Sequence, residues 1–192
     1  MKKIITILIL IFSLQTPSQA DDIRDFQIEG MSIGDNLFDY ITKEELKNKK
    51  KAYYKNKKYI AILIYKPTFE TYEMVQIVYK NIDKKIHNLD GIFYYKKNFK
   101  DCLKKKDEIV ADIIKIFPES KKKEKGKIKH DADKSGKSVF FPYDFEFKSG
   151  ASARVICYDW SEEKTKNNNW PDSLAVTINS EEFTNFLKNQ PY

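Results

Sequence analysis

Residues 59–95 read YIAILIYKPTFETYEMVQIVYKNIDKKIHNLDGIFYY, and this stretch decides the fold. Tyr59 to Tyr65 is β-branched and aromatic and stops at Pro67, which is the composition of a strand. Thr71 to Lys80 is a second apolar run, interrupted by polar Glu73 and Gln76. Asn81-Ile82-Asp83-Lys84 carries turn residues and leads into a third run, Ile86 to Tyr95. Strands joined this closely run antiparallel, because a parallel return needs a crossover of a dozen or more residues. The stretch predicts an antiparallel meander.

Downstream, Asn98 to Phe117 reads as the clearest helix. Asn98 is a good N-cap, and Phe99, Cys102, Leu103, Val110, Ile113, Ile114 and Phe117 fall on one face at helical spacing before Pro118 ends it. Glu119 to Lys137 is rich in lysine and lacks aromatic residues, so it reads as a mobile exposed loop. Strand patterns then return. Val139 to Phe147 alternates, with Pro142 restricting its first half to a sheet edge. Ala153, Val155 and Cys157 alternate in the next strand, and Leu174, Val176 and Ile178 in a third. Ser180 caps a last helix with Phe183, Phe186 and Leu187 on its apolar side. The fold class is α+β: antiparallel β-meanders with helices packed on one face. The element order suggests a tandem α-βββ arrangement, with 21–95 and 96–192 as the halves of one compact unit.

Upstream, Gly30 to Asp35 is a turn into a short helix bearing Leu37, Phe38 and Ile41. Thr42-Lys43-Glu44-Glu45 fits a capping box, which predicts a second short helix through Leu46. The first twenty residues have a different character. Lys2 and Lys3 precede the apolar run Ile4 to Leu14, and Pro17-Ser18-Gln19-Ala20 supplies the small residues of a cleavage site. This pattern is a secretory signal peptide, with cleavage near Ala20 and a periplasmic or secreted destination. No other run approaches the ~18 apolar residues of a membrane span.

Two cysteines, Cys102 and Cys157, follow the leader. An oxidising destination predicts a disulfide between them, from the long helix to a strand, over the alternative of two buried thiols. The formal net charge is +7, and it is carried almost wholly by lysine, with Arg24 and Arg154 the two arginines. Lys, Ile, Asn, Phe and Tyr are abundant, as AT-rich codons would make them. A basic surface still attracts anionic partners.

The chemistry-bearing residue types are sparse. Asp131 to Gly136 resembles the front of a calcium loop, but Pro142 stands where the bidentate Glu belongs, so a polar turn is the simpler reading. His87 and His130 have no His or Cys at ligand spacing, and no G-x-S-x-G turn is present. Asp159, Glu162 and Glu163 cluster beside Trp160, a pattern open to glycoside chemistry or sugar stacking and equally to a solvated loop. The lysine clusters are Lys47 to Lys58, Lys104 to Lys106 and Lys121 to Lys129, and the middle one reads as facing outward from the helix.

Gly30-Met31-Ser32, opening a helix pair before a meander, resembles small envelope proteins of the BamE and beta-lactamase-inhibitor type over Ile28 to Tyr95. That resemblance implies short helices lying on a sheet. Phe26 to Asp35, Gly91 to Tyr94, Asp107 to Val110 and Cys157 to Trp160 resemble an uncharacterised exported family of small-genome marine alphaproteobacteria (Pelagibacter type). That resemblance implies a compartment and AT-rich codons, and no activity. The functional expectation is an exported, non-enzymatic interaction module of the cell envelope. Tyr53, Tyr54 and Trp170 are its candidate surface. The expected partner is a protein or an anionic envelope polymer, with no nucleic acid, cofactor, metal or catalytic residue. The alternatives are a carboxylate-based hydrolase of envelope polymers and an inhibitor of a secreted enzyme.

Overall fold

The computed structural model describes residues 23–95 and 98–189, so the leader, residues 1–20, lies outside the described residues. Among the described residues nine strands form one antiparallel sheet: β1 (Ala52–Tyr53), β2 (Tyr59–Ile64), β3 (Met74–Lys80), β4 (Ile86–Tyr94), β5 (Lys121–Glu124), β6 (Ile128–Lys129), β7 (Val139–Glu146), β8 (Ser152–Asp159) and β9 (Ser173–Asn179). Their order is β1-β2-β3-β4-β9-β8-β7-β5, with β6 also on β7. The helices are α1 (Lys43–Asn48), α2 (Phe99–Ile116), α3 (Glu162–Asn168) and α4 (Glu181–Asn189). The fold is α+β, as the meander pattern implied. Its two meanders meet where β4 pairs with β9, from Asn88 opposite Asn179 to Tyr94 opposite Ser173.

One face of the sheet carries the main core. Along β2, Ile60, Ile62 and Ile64 point to this side, and Tyr59, Ala61 and Leu63 to the other, the two-residue period of a strand. Ile28, Met31, Leu37, Ile41 and Leu46, from the N-terminal segment and α1, bury themselves on this side, as does α2 through Cys102, Val110 and Ile113. α2 crosses β8 and β9. Its start is fixed by Asn98, whose side chain accepts from the Lys100 amide at 3.2 Å. The Thr42–Glu45 capping box forms, with Glu45 N on Thr42 Oγ1 at 3.1 Å and Thr42 N on Glu45 Oε2 at 2.6 Å. Cys157 lies on the same strand face as Ala153 and Val155, and it meets Cys102 with sulfurs 2.01 Å apart and Cα atoms 6.1 Å apart. Among the described residues no helix is long and apolar enough to cross a membrane.

Several elements differ from the sequence reading. The lysine-rich stretch is not a free loop: β5 and β6 both pair with β7. Backbone hydrogen bonds hold this edge while its lysines stay in solvent, so hydropathy gave no strand signal. Pro142 sits between the two short strands, and its carbonyl accepts from Lys125 N at 3.3 Å. Its missing N–H therefore faces the gap where the neighbouring strand is interrupted. Lys106 is buried rather than outward, four residues after Cys102 and four before Val110 on the same stripe. Its ammonium reaches Asp107 at 2.9 Å and Glu124 of β5 at 3.8 Å. The segment holding Glu162 and Glu163 is a helix, capped by Ser161, and the expected helix at Leu37 is a single 3-10 turn. α4 packs on the second face, away from α1 and α2: its Phe183 joins Tyr59, Ala61 and Val78.

Candidate functional site

α4 covers one end of the second face. Strand register orders the side chains of this face into rows, of which Met74, Ala175, Ile156, Pro142 and Ser173 are buried. Nearest α4, Asn88 donates to Asn179 Oδ1 at 2.9 Å, Asn179 donates to Ser152 Oγ at 3.2 Å, and Ser152 meets Thr184 of α4 at 3.0 Å. The next row runs Gln76, Asp90, Thr177, Arg154, Asp144 and Lys123 across six strands. Beyond it come Met74, Ile92, Ala175, Ile156 and Pro142, and then Tyr94, Ser173, Tyr158, Phe140 and Ile128.

The charged row is internally paired. Gln76 Nε2 donates to Asp90 at 2.7 Å and Asn88 Nδ2 donates to it at 3.1 Å. Burial pushes the Asp90 carboxyl above its ordinary range, against the hydrogen bonds of Thr177, Asn88 and Gln76. Asp144 moves the other way. Burial would raise it, but Arg154 and Lys125, the latter at 2.6 Å, hold it below the usual range. Separated pKa values on two carboxylates are a pattern of acid–base sites. Here the two stand three strand spacings apart, about 14 Å between backbones, and Arg154 lies in the row between them. They do not face a shared gap in which a scissile bond would sit.

At the far end of this face five rings form a cluster. His130 lies 4.4 Å from Trp160, and Trp160 lies 4.7 Å from Trp170, centroid to centroid. Tyr158 and Trp160 are nearly parallel at 5.7 Å, and Phe140 stands 6.0 Å from Tyr158. Lys164 of α3 lies over the Trp170 ring at 5.8 Å. Asp172 fixes the corner by accepting from Trp160 N at 2.8 Å. Trp170 is 37% exposed, and the other four rings are half-buried.

The sequence-derived surface residues do not form one patch. Tyr53 is exposed on edge strand β1. Tyr54 packs edge-on against Phe183 and Phe186, so it belongs to the seat of α4. Trp170 is at the opposite end of the strands, with Trp160 and His130. Asp133 does not present a calcium ligand: it accepts from Ser138 N and Oγ, Ser135 N and Oγ, and Ser161 Oγ, at 2.6–3.0 Å. Those bonds, Ser138 first, hold its carboxyl far below the usual range. Residues that the sequence reading missed are Asp90 and Arg154, which share one row, and Tyr158 and Phe140, which share another; neither row is visible without the strand register.

His87 does sit near a serine and a carboxylate. Its Nδ1 is 2.8 Å from Ser180 Oγ, and its Nε2 is 3.9 Å from Glu182 Oε2. The arrangement caps α4. Ser180 Oγ accepts from Phe183 N at 3.1 Å, and Glu182 is held by Lys58 at 2.9 Å and Lys80 at 3.0 Å. A carboxylate neutralised by two ammonium groups is poorly suited to polarise a histidine. Burial would raise the Glu182 carboxyl, yet Lys58 and Lys80 bring it down to about 2. An acid depressed in the folded state stabilises above its unfolded value of 4.5 and loses that stabilisation as pH falls toward about 2. His87, lowered by burial, adds a loss as pH falls below 6.5. Glu182→Gln is therefore expected to give a shallower fall of Tm between pH 5 and 3 than the native chain shows. An unchanged acid limb in thermal melts would contradict this pairing.

No family model, curated protein or solved structure matches this chain.

Proposed function

We propose that this chain is an exported, non-enzymatic interaction module of the cell envelope and that the aromatic end of the second sheet face is its working surface. What supports the reading is that end of the face, where Tyr94, Phe140, Tyr158 and Trp160 are half-buried and Trp170 is 37% exposed, beside a mostly buried apolar row and a paired charged row. Exposed apolar patches rimmed by polar groups mark sites of association. A disulfide bond is in keeping with an oxidising compartment, and the leader pattern of residues 1–20 with export.

The test is capture from envelope extract by the immobilised mature chain, beside a Trp160→Ala/Trp170→Ala variant and a Lys104→Gln control. The expected result is a component that the native chain and the control retain at high salt and the tryptophan variant loses. Equal retention by all three proteins, or no retention by any, would contradict the reading.

A further inference from the structure

We infer that the tip of the β3–β4 hairpin docks on an anionic phospholipid bilayer. This surface lies at the end of the strands opposite the tryptophans, and the inference does not rest on the reading of those rings. Its apex is Ile82, at 86% the most exposed large apolar side chain among the described residues. The turn that carries it is closed by Lys80 N on Lys85 O and Lys84 N on Lys80 O, both at 2.9 Å. The backbone therefore holds the side chain out in water, at a position where a polar residue would serve a turn as well. Beside it, the 3-10 turn Lys55–Lys57 is seated by Asn81 N, which donates to Lys58 O at 2.8 Å. Between the two turns is an open hollow of about 480 Å³, lined by Lys57, Lys58, Lys80, Asn81 and Ile82.

Lysines lie on both sides of the apex. Toward α4, Lys58 and Lys80 share Glu182 at 2.9 and 3.0 Å. Toward the main core, Lys84 stands 5.7 Å from the Tyr79 ring and Lys57 6.0 Å from the Tyr53 ring. Among the described residues no carboxylate forms an ion pair with Lys55, Lys57, Lys84 or Lys85. Asp83, in the turn, accepts from Lys85 N at 3.0 Å, and Asp35, on the adjoining segment, from Ser32 N at 2.8 Å. With the exposed Asp39 and with Glu182 counted too, six lysines face four acids, so the tip keeps a positive excess. Lys57 and Lys84 also have φ of 53° and 60°. Left-handed backbone suits glycine or asparagine better than lysine. AT-rich codons supply asparagine as readily as lysine, so codon bias does not account for ammonium groups at these two positions.

A bilayer surface uses each of these features. An anionic leaflet strengthens association about fivefold for each lysine held near it. The hollow admits a headgroup phosphate among Lys57, Lys58 and Lys80, while Ile82 enters the acyl boundary and the exposed Tyr53 ring rests at headgroup level. A soluble polyanion would engage the lysines and leave Ile82 in water. A single-stranded nucleic acid would need a run of rings to stack on, and this end of the sheet exposes Tyr53.

The experiment is co-sedimentation of the chain from residue 21, which removes the apolar run of the leader. The vesicles are an equal mixture of phosphatidylglycerol and phosphatidylcholine, or phosphatidylcholine alone, and thermal melts check that each variant is folded. The mixed vesicles are expected to bind the chain at least tenfold more strongly than the neutral ones. Ile82→Ser should lower partitioning to the mixed vesicles about tenfold, and Lys57→Gln/Lys84→Gln about thirtyfold. Trp160→Ala/Trp170→Ala should bind as the native chain does, which separates this surface from the aromatic end. Equal binding to neutral vesicles, or none to either, would overturn the inference. Binding that Ile82→Ser leaves intact would overturn it in favour of simple polyanion attraction, and loss confined to the tryptophan variant would move lipid contact to the aromatic end.

Discussion

Replacing both Cys102 and Cys157 by alanine is expected to lower the free energy of unfolding by about 4 kcal/mol. The two cysteines are separated by 55 positions, and the bridge joins α2 to β8 across the main core. Its absence returns a long loop's worth of freedom to the unfolded chain, and that entropy is the larger part of the effect on the loop-closure account. Typical domains have only about 5–15 kcal/mol in total, so the change is a large fraction of what holds the sheet and helix together. Alanine is the right replacement because both sites are fully buried and a serine hydroxyl would add its own desolvation cost. Urea unfolding of the variant and of reduced native protein should show the same lowered midpoint against the oxidised chain. Equal midpoints for oxidised and reduced protein would contradict the structural role of the bridge.

Phe183→Ala is expected to cost about 3–5 kcal/mol, the range for truncating a buried aromatic side chain. Phe183 is 1% exposed, and its ring lies 4.9 Å from Tyr59 and 5.3 Å from Tyr54. Those contacts seat α4 in a small apolar cluster separate from the main core. The loss should have a second signature. Glu182 is on α4 and is held by Lys58 and Lys80, so loosening the helix frees the carboxylate and flattens the acid limb of the stability profile. Phe93→Ala, at a residue 38% exposed, is the control and should change the midpoint little. A Phe183 variant no less stable than the control would mean that α4 is not docked by this contact.

The parts of the fold legible in the sequence are those set by local pattern. The β-branched and aromatic run of Tyr59–Ile64, the two-residue alternation of Ala153–Cys157, the helical stripe of α2 and the Thr42–Glu45 box each carry their signal within a few residues. The disulfide followed from two such patterns, because a cysteine on a helix stripe and a cysteine on a strand face were set to meet. Lys106 was legible too: its spacing from Cys102 and Val110 puts it on the buried stripe, and its charge masked that. Other features had no local signal. β5 is made of Lys121–Glu124, and only its pairing to β7 makes it a strand. The row from Gln76 to Lys123 depends on the register of six strands, and His130, Trp160 and Trp170 come together because β7, β8 and β9 are neighbours. Trp170 was named as a candidate from composition, while its partners needed the sheet order to be found.

Site-specific photo-crosslinking in the native envelope tests the central claim most directly. A photoreactive amino acid at Trp170, the exposed ring of the second sheet face, should give a discrete adduct in living cells. The same group at Lys104, on the solvent side of α2, should give none. That contrast is the predicted result. Adducts at Lys104 with none at Trp170 would contradict the assignment of this sheet face as the working surface.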